Sequence, residues 1–198
     1  MDSRQIILAS ASPRRQELLR LIGLDFKVIP SSFDESSVGE CPPEEHVMAT
    51  ASGKALDVSR LLSDGVIIGA DTIVAVDDGI LGKPQDESDA KRMLMLLSGR
   101  SHFVYTGLSV LVLKAGEAIM HLKDYVSTEV IFGYLPEPLI DAYVATGEPM
   151  DKAGAYGIQE RGSVLVEGIA GDYFNVVGLP VYKLSRMLMS VGIPILGR

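Results

Sequence analysis

The sequence predicts an α/β fold on a mixed β-sheet flanked by helices. Three observations carry this. Strand-like and helix-like segments mix along the whole chain. The chain opens as strand, turn, helix, strand. The strongest strand run is followed by a turn signal and a short apolar return, a hairpin that puts antiparallel pairing into the sheet. The 198 residues are 47% hydrophobic and 22% charged, the composition of a packed globular protein, enough for one large domain or two small lobes sharing a core.

The elements follow in order. Residues 5–9 are an apolar run read as a buried strand. The turn Ser10-Ala11-Ser12-Pro13 leads into a helix over 14–22, where Leu18, Leu19 and Ile22 have helical spacing. Ser12 is its expected N-cap, Pro13 its first position and Gly23 its stop. Residues 26–29 read as a second strand, 31–43 as a polar loop holding Asp34 and Glu35, and 43–62 as a long helix. Residues 66–76 are a strand that contains the polar pair Asp71-Thr72. Asp77-Asp78-Gly79 is the turn, with Ile80-Leu81 returning. A helix over 86–97 is closed by Ser98-Gly99. Long strands over 104–113 and 125–132 are joined around Gly116. A helix over 136–145, a strand over 163–166 and a last helix over 180–189 complete the chain. No internal repeat, low-complexity tract or linker divides it, so 1–198 reads as a single domain.

The formal net charge is −8, which repels nucleic acid and anionic membrane surfaces. An anionic small substrate then needs a local cluster of Lys and Arg or a bridging divalent cation. The single cysteine, Cys41, rules out an intrachain disulfide and fits a reduced, cytoplasmic setting. It stands before Pro42 and Pro43 and reads as an incidental thiol. Residues 5–11 are apolar, but Arg14 and Arg15 follow at once, so they are not read as a signal peptide. No run reaches the roughly 18 apolar residues of a membrane span.

Four segments hold candidate chemistry. In Ser10-Ala11-Ser12-Pro13-Arg14-Arg15, the helix start offers backbone N–H groups, Ser10 and Ser12 offer hydroxyls, and Arg14 and Arg15 offer guanidinium donors for phosphate oxygens. The same residues also fit a plain capped helix with two solvated arginines. In Gly69-Ala70-Asp71-Thr72, a carboxylate interrupts an apolar strand, which is costly unless the charge is paired or used. Its other reading is a strand-edge aspartate capping a turn. In Gly82-Lys83-Pro84, Lys83 is either a phosphate contact or a surface lysine. In the glycine-rich run from Asp151 to Gln159, Gln159 has an amide suited to a base edge, while the glycines alone would make a tight loop. Lys54 reads by default as part of a solvated helix face, and Glu35 as an exposed loop acid. There is no P-loop, no H-E-x-x-H, no Cys/His metal cluster and no dinucleotide fingerprint. His46, His102 and His121 stand in no triad-like setting.

Taken together these motifs resemble the Maf family. The matching residues are S-A-S-P-R-R at 10–15, Glu35, Lys54, G-A-D-T at 69–72, G-K-P at 82–84, D-K-A-G-A-Y-G-I-Q at 151–159 and G-L-P at 178–180. They run in the family's order across most of the chain. The resemblance implies an elongated mixed sheet with two lobes around a cleft, similar to the inosine triphosphate pyrophosphatases. It implies hydrolysis of a nucleoside triphosphate between the α and β phosphates with a divalent cation, Mg²⁺ or Mn²⁺, and a role in clearing unwanted nucleotides. Under it, Asp71 orients or deprotonates the attacking water, and Glu35 and Asp71 hold the metal. Ser10, Ser12, Arg14, Arg15, Lys54, Thr72, Lys83 and Gln159 bind substrate. Branches of the family differ at the positions of Arg14, Thr72 and Gln159, and the residues here match the branch acting on dTTP and UTP. The family is also compatible with a homodimer. The alternatives are a pyrophosphatase for purine or modified-purine triphosphates and a non-catalytic nucleotide-binding regulator of septum formation.

Overall fold

A computed structural model describes residues 4–77 and 79–196. Of the expected turn Asp77-Asp78-Gly79, Asp78 lies outside the described residues. The elements are β1 (Ile6–Leu8), α1 (Pro13–Leu21), β2 (Lys27–Val28), α2 (Pro43–Ser59), β3 (Gly65–Val76), β4 (Gly79–Leu81), α3 (Glu87–Leu97), β5 (Ser101–Lys114), β6 (Glu117–Phe132), α4 (Glu137–Val144), β7 (Val166–Ala170), α5 (Tyr173–Val177) and α6 (Val181–Ser190). The seven strands form one sheet in the order β2-β1-β3-β5-β6-β7, with β4 paired to β3. Pairing is parallel for β1 with β2 and with β3, and antiparallel for β3 with β4 and β6 with β7. The sheet is therefore mixed, as the hairpin signal requires.

The chain divides into two compact units. One comprises residues 1–71, 106–126 and 178–198, and the other 72–105 and 127–177. In the first, Ile7, Ala9, Ala55, Val58, Ile67, Leu111 and Leu113 form a buried cluster. Helix α2 buries Val47, Ala51, Ala55 and Val58, one stripe at the spacing that keeps residues on a single helix face. Two glycines let this helix approach the sheet closely. A Cβ at Gly69 would collide with the Ala51 carbonyl, and one at Gly107 with the Val47 carbonyl. Both positions must lack a side chain for the helix backbone to lie where it does.

In the second unit, α3 presents Ala90, Met93, Leu94 and Leu97 to the core and packs on α4. These residues join Val74, Leu81, Phe132, Ile140, Tyr143, Tyr156 and Leu165 in a single cluster. Asp86 caps α3 by accepting from the Asp89 N–H at 2.8 Å, which satisfies one of the helix's unpaired donors.

Three expectations need correction. Ser12 occupies the N-cap position of α1 with Pro13 following, but its side chain makes no capping bond. The strand expected over 163–166 is instead a 3₁₀ turn, Arg161–Leu165, and the strand begins at Val166. Leu165 is buried while Val164 is 72% exposed, so the first two residues of the apolar trio belong to the turn and only Val166 to the strand. Strand β6 begins at Glu117 rather than near residue 125, because pairing with β5, not burial, makes its exposed first half a strand. Among the described residues no helix is long and apolar enough to cross a membrane.

Candidate functional site

The turn after β1 places Ser10 at the foot of α1. Ser10 Oγ accepts from the Ser12 N–H at 3.3 Å and from Arg15 Nη1 at 3.1 Å. Arg15 Nε donates to the Gly178 carbonyl at 2.9 Å. Gly178 has φ of 121°, a conformation that L side chains avoid. The Gly178-Leu179-Pro180 segment thus contributes a carbonyl that aims an arginine. Burial lowers the pKa of Arg15, Asp71 opposes this, Arg14 adds to it and Glu35 opposes it. The guanidinium remains a cation, within electrostatic reach of both carboxylates. Arg14 and Ser12 are half-buried beside it in sequence.

Glu35 opens the 3₁₀ turn Glu35–Ser37, where Asp34 accepts from the Ser36 N–H at 3.0 Å. The preceding loop is fastened to α2 at two points one turn apart. Asp57 Oδ2 accepts from Ser31 Oγ and the Ser32 N–H, each at 2.8 Å, and the Phe33 ring lies against Gly53. The bond from Ser31 leads the interactions that hold the Asp57 carboxylate below its ordinary pKa. Between these points stands Lys54. Its ammonium meets Glu35 Oε1 at 2.8 Å and Asp71 Oδ1 at 2.8 Å. The Lys54 and Asp71 side chains are 13% and 8% exposed, that of Glu35 59%. Lys54 is therefore not part of a solvated face, whereas Glu35 is exposed as expected and is also paired with Lys54. Asp71 lies inside β3, not at a strand edge.

The second unit holds the other candidates. Thr72 follows Asp71 along β3 and is half-buried. Lys83 is exposed just after β4. The neighbouring Gly82 carbonyl accepts from the Gly154 N–H at 3.0 Å, and Gly154, at φ of 68°, packs against Val74. This joins the Lys83 turn, β3 and the glycine-rich run that ends at the exposed Gln159. Lys152 within that run is buried, its Nζ donating to the Glu148 carbonyl at 2.8 Å and Asp151 Oδ1 at 2.7 Å. The structure thus gathers Ser10, Arg15, Glu35, Lys54 and Asp71 in one unit, and ties the Lys83 and Gln159 segments together in the other. Sequence reasoning assigned no role to Gly178, Asp57 or Glu148, whose parts depend on contacts between distant positions.

The residues fit a hard divalent cation. Glu35 and Asp71 offer oxygen donors, and both already converge on one positive group, the Lys54 ammonium. Mg²⁺ takes one or two carboxylates and keeps several waters. Among the described residues no group of three or more His, Cys, Asp or Glu could hold a metal ion, so Glu35 and Asp71 would hold it as a pair, with waters completing its shell. A tethered arginine and a lysine beside two carboxylates suit a phosphorylated ligand.

The family model described as Maf-like protein matches residues 5–191, and the chain belongs to that family. A protein of Moorella thermoacetica named dTTP/UTP pyrophosphatase is 50% identical over 195 residues, covering 98% of both chains. A protein of the same name from Clostridium botulinum is 52% identical over 194 residues, covering 96% of this chain and 98% of that one. Among solved structures, the Staphylococcus aureus Ham1 protein aligns with a TM-score of 0.51 and 18% identity, covering 95% of this chain and all of that one, a likeness of fold.

Proposed function

We propose that this chain hydrolyses dTTP and UTP to the nucleoside monophosphate and pyrophosphate. The observation that carries the reading is the Lys54 ammonium held between Glu35 and Asp71 at 2.8 Å from each, in the unit that also orients Arg15. Carboxylate and phosphate repel, so a buried carboxylate at this cation cluster needs a metal to hold or a water to activate. A hydrolase gains a proton acceptor.

Water adds at one of the two phosphorus atoms flanking the bridging oxygen between the α and β phosphates. The phosphoanhydride bond breaks as the new P–O bond forms. Asp71 takes the water's proton, the bridging oxygen leaves on the phosphate that is not attacked, and monophosphate and pyrophosphate are the products. Arg14, Arg15 and Lys54, with Lys83, spread the triphosphate charge, and Ser10 and Ser12 add hydroxyl donors. Catalysis of this kind is mostly positioning and charge neutralisation. Glu35 and Asp71 would hold Mg²⁺ or Mn²⁺, which supplies charge neutralisation on phosphate oxygens. Gln159 reads the pyrimidine through an amide that both donates and accepts, while Thr72 and Arg14 shape the pocket. The same reading gives the protein a cytoplasmic role in removing unwanted nucleotides, and the family resemblance is compatible with a homodimer.

The test is product identification across a panel of nucleoside triphosphates with Mg²⁺ or Mn²⁺. Monophosphate and pyrophosphate from dTTP and UTP are expected. Nucleoside diphosphate and orthophosphate would overturn cleavage at the α–β bond, and a preference for purines would overturn the substrate class.

A further inference from the structure

The loop that carries Gln159 closes on itself, and one carboxylate holds its neck. Glu148 Oε1 accepts from the Gly162 N–H at 3.0 Å, and Oε2 from the Arg161 N–H at 3.1 Å. Oε1 also accepts from the Tyr143 hydroxyl at 2.9 Å, and that hydroxyl accepts from the Gly157 N–H at 3.1 Å. Both ends of the segment 157–162 are therefore tied to the same pair of side chains. The ends also touch: a Cβ at Gly162 would lie 2.5 Å from the Gly157 carbonyl oxygen and 2.6 Å from the Tyr143 hydroxyl. On the other side, Gly157 rests on the Lys152 stem, where a Cβ would come within 2.6 Å of Cε.

Glu148 is itself fixed at both backbone groups. Its N–H donates to Thr146 Oγ1 at 3.2 Å and its carbonyl accepts from Lys152 Nζ at 2.8 Å. Tyr143 is 4% exposed. Burial raises its pKa, the Gly157 N–H opposes this and Glu148 adds to it, so the phenol stays a protonated donor. Between the pinned ends, Ile158 is half-buried and Gln159 and Glu160 face solvent. The tip of a short loop with a rigid neck is held in position although none of its own side chains is packed in the core.

We infer that Glu148, with Tyr143, is a positioning residue for base selection, holding the neck of the 157–162 loop so that the Gln159 amide meets the base in one orientation. The inference rests on the reading that Gln159 contacts the base. An amide covered by a bound base pairs with one base edge and leaves its groups unpaired against another, so discrimination depends on how tightly it is placed. A loosened neck lets Gln159 follow either base.

The test has two arms. Without nucleotide, amide hydrogen exchange at Arg161 and Gly162 in Glu148→Ala should quicken at least tenfold, since these N–H groups lose their acceptors. With nucleotide, the ratio of kcat/KM for dTTP to that for GTP should fall about tenfold in Glu148→Ala, and match the ratio in Gln159→Ala. The double variant should fall no further. A drop in folded fraction lowers both kcat/KM values alike and leaves the ratio unchanged, so a merely structural role would not move it. Glu148→Gln keeps one acceptor oxygen and should restore part of the ratio. Tyr143→Phe keeps the ring, removes the hydroxyl and should loosen Gly157 with the same loss of ratio, which serves if Glu148→Ala does not fold.

Unchanged exchange at 161–162 in Glu148→Ala would overturn the clamp. A ratio that moves in Gln159→Ala but not in Glu148→Ala or Tyr143→Phe would overturn the positioning role alone. A ratio that moves in none of them would overturn both the role and the reading of Gln159, with cleavage of dTTP still standing.

Discussion

The Gly178 carbonyl accepts from Arg15 Nε at 2.9 Å, across 163 positions of sequence. Together with the Ser10 bond to Nη1, it fixes the plane of the guanidinium at the start of α1. A lysine in this place would keep the charge and lose both tethers, because an ammonium is a mobile point charge with no planar fork. Arg15→Lys should raise the KM for dTTP about tenfold, the loss expected of one charge-assisted hydrogen bond. Steady-state kinetics over a range of dTTP concentrations measures this. An unchanged KM would mean that Arg15 serves the fold and not the substrate.

Asp71→Asn keeps the shape of the side chain and removes the proton acceptor. Turnover should fall by roughly 10²-fold or more, with dTTP binding largely kept. Single-turnover rates and equilibrium binding on the same preparation separate the two. Near-normal turnover would remove Asp71 as the base. Loss of nucleotide and Mn²⁺ binding together would make it chiefly a metal ligand.

Gly107→Ala pushes a methyl group into the Val47 carbonyl of α2, a backbone atom that no rotamer change can move. The variant should lose about 3 kcal/mol or more of unfolding free energy. Gly39, which has nothing within 4 Å of the Cβ it lacks, supplies the control. Gly39→Ala should stay within about 0.5 kcal/mol of the parent. Urea unfolding decides both. Equal stability of the two variants would contradict the close seating of α2.

His102 is 1% exposed, its Nε2 lies 2.8 Å from the Tyr156 hydroxyl, and its Nδ1 has no hydrogen-bond partner. Burial pushes its pKa down to about 4. The unfolded chain, with an ordinary histidine near pH 6.5, takes up the proton first as pH falls. Stability from this group is therefore complete above about pH 6.5 and drains away toward pH 4, by about 3 kcal/mol in total. His102→Phe should flatten that part of the profile. Urea midpoints from pH 4.5 to 7.5 test it, and parallel profiles for the two proteins would show that His102 titrates alike in the folded and unfolded chains.

Asp71 was legible in the sequence because its cost was legible. A carboxylate among Ile67, Ile68, Ile73 and Val74 needs a partner or a use, and the structure buries it with Lys54. Lys54 itself was not. Nothing local distinguishes it from a surface lysine, and its two carboxylates come from distant segments, Glu35 from the returning 31–37 loop and Asp71 from β3. Elements with long periodic patterns, such as α3, were readable from spacing. Strand β7 and the five-residue α5 were not, since β7 is half-exposed along most of its length and α5 is too short to show a period. The Glu148 and Gly178 contacts join segments whose neighbours in sequence say nothing of each other.

The seating of α2 has one more consequence. Ala51 rests on Gly69, Lys54 stands three residues further along the helix, and Asp71 two residues further along the strand, on the same strand face as Gly69. A lift or slide of the helix therefore also moves Lys54 relative to Asp71. The Lys54 ammonium is a built-in gauge of helix docking. In protein labelled with ¹⁵N at lysine, its resonance should shift in Gly69→Ala even where the overall spectrum stays that of a folded chain, and so report on the helix from a side chain that touches both carboxylates.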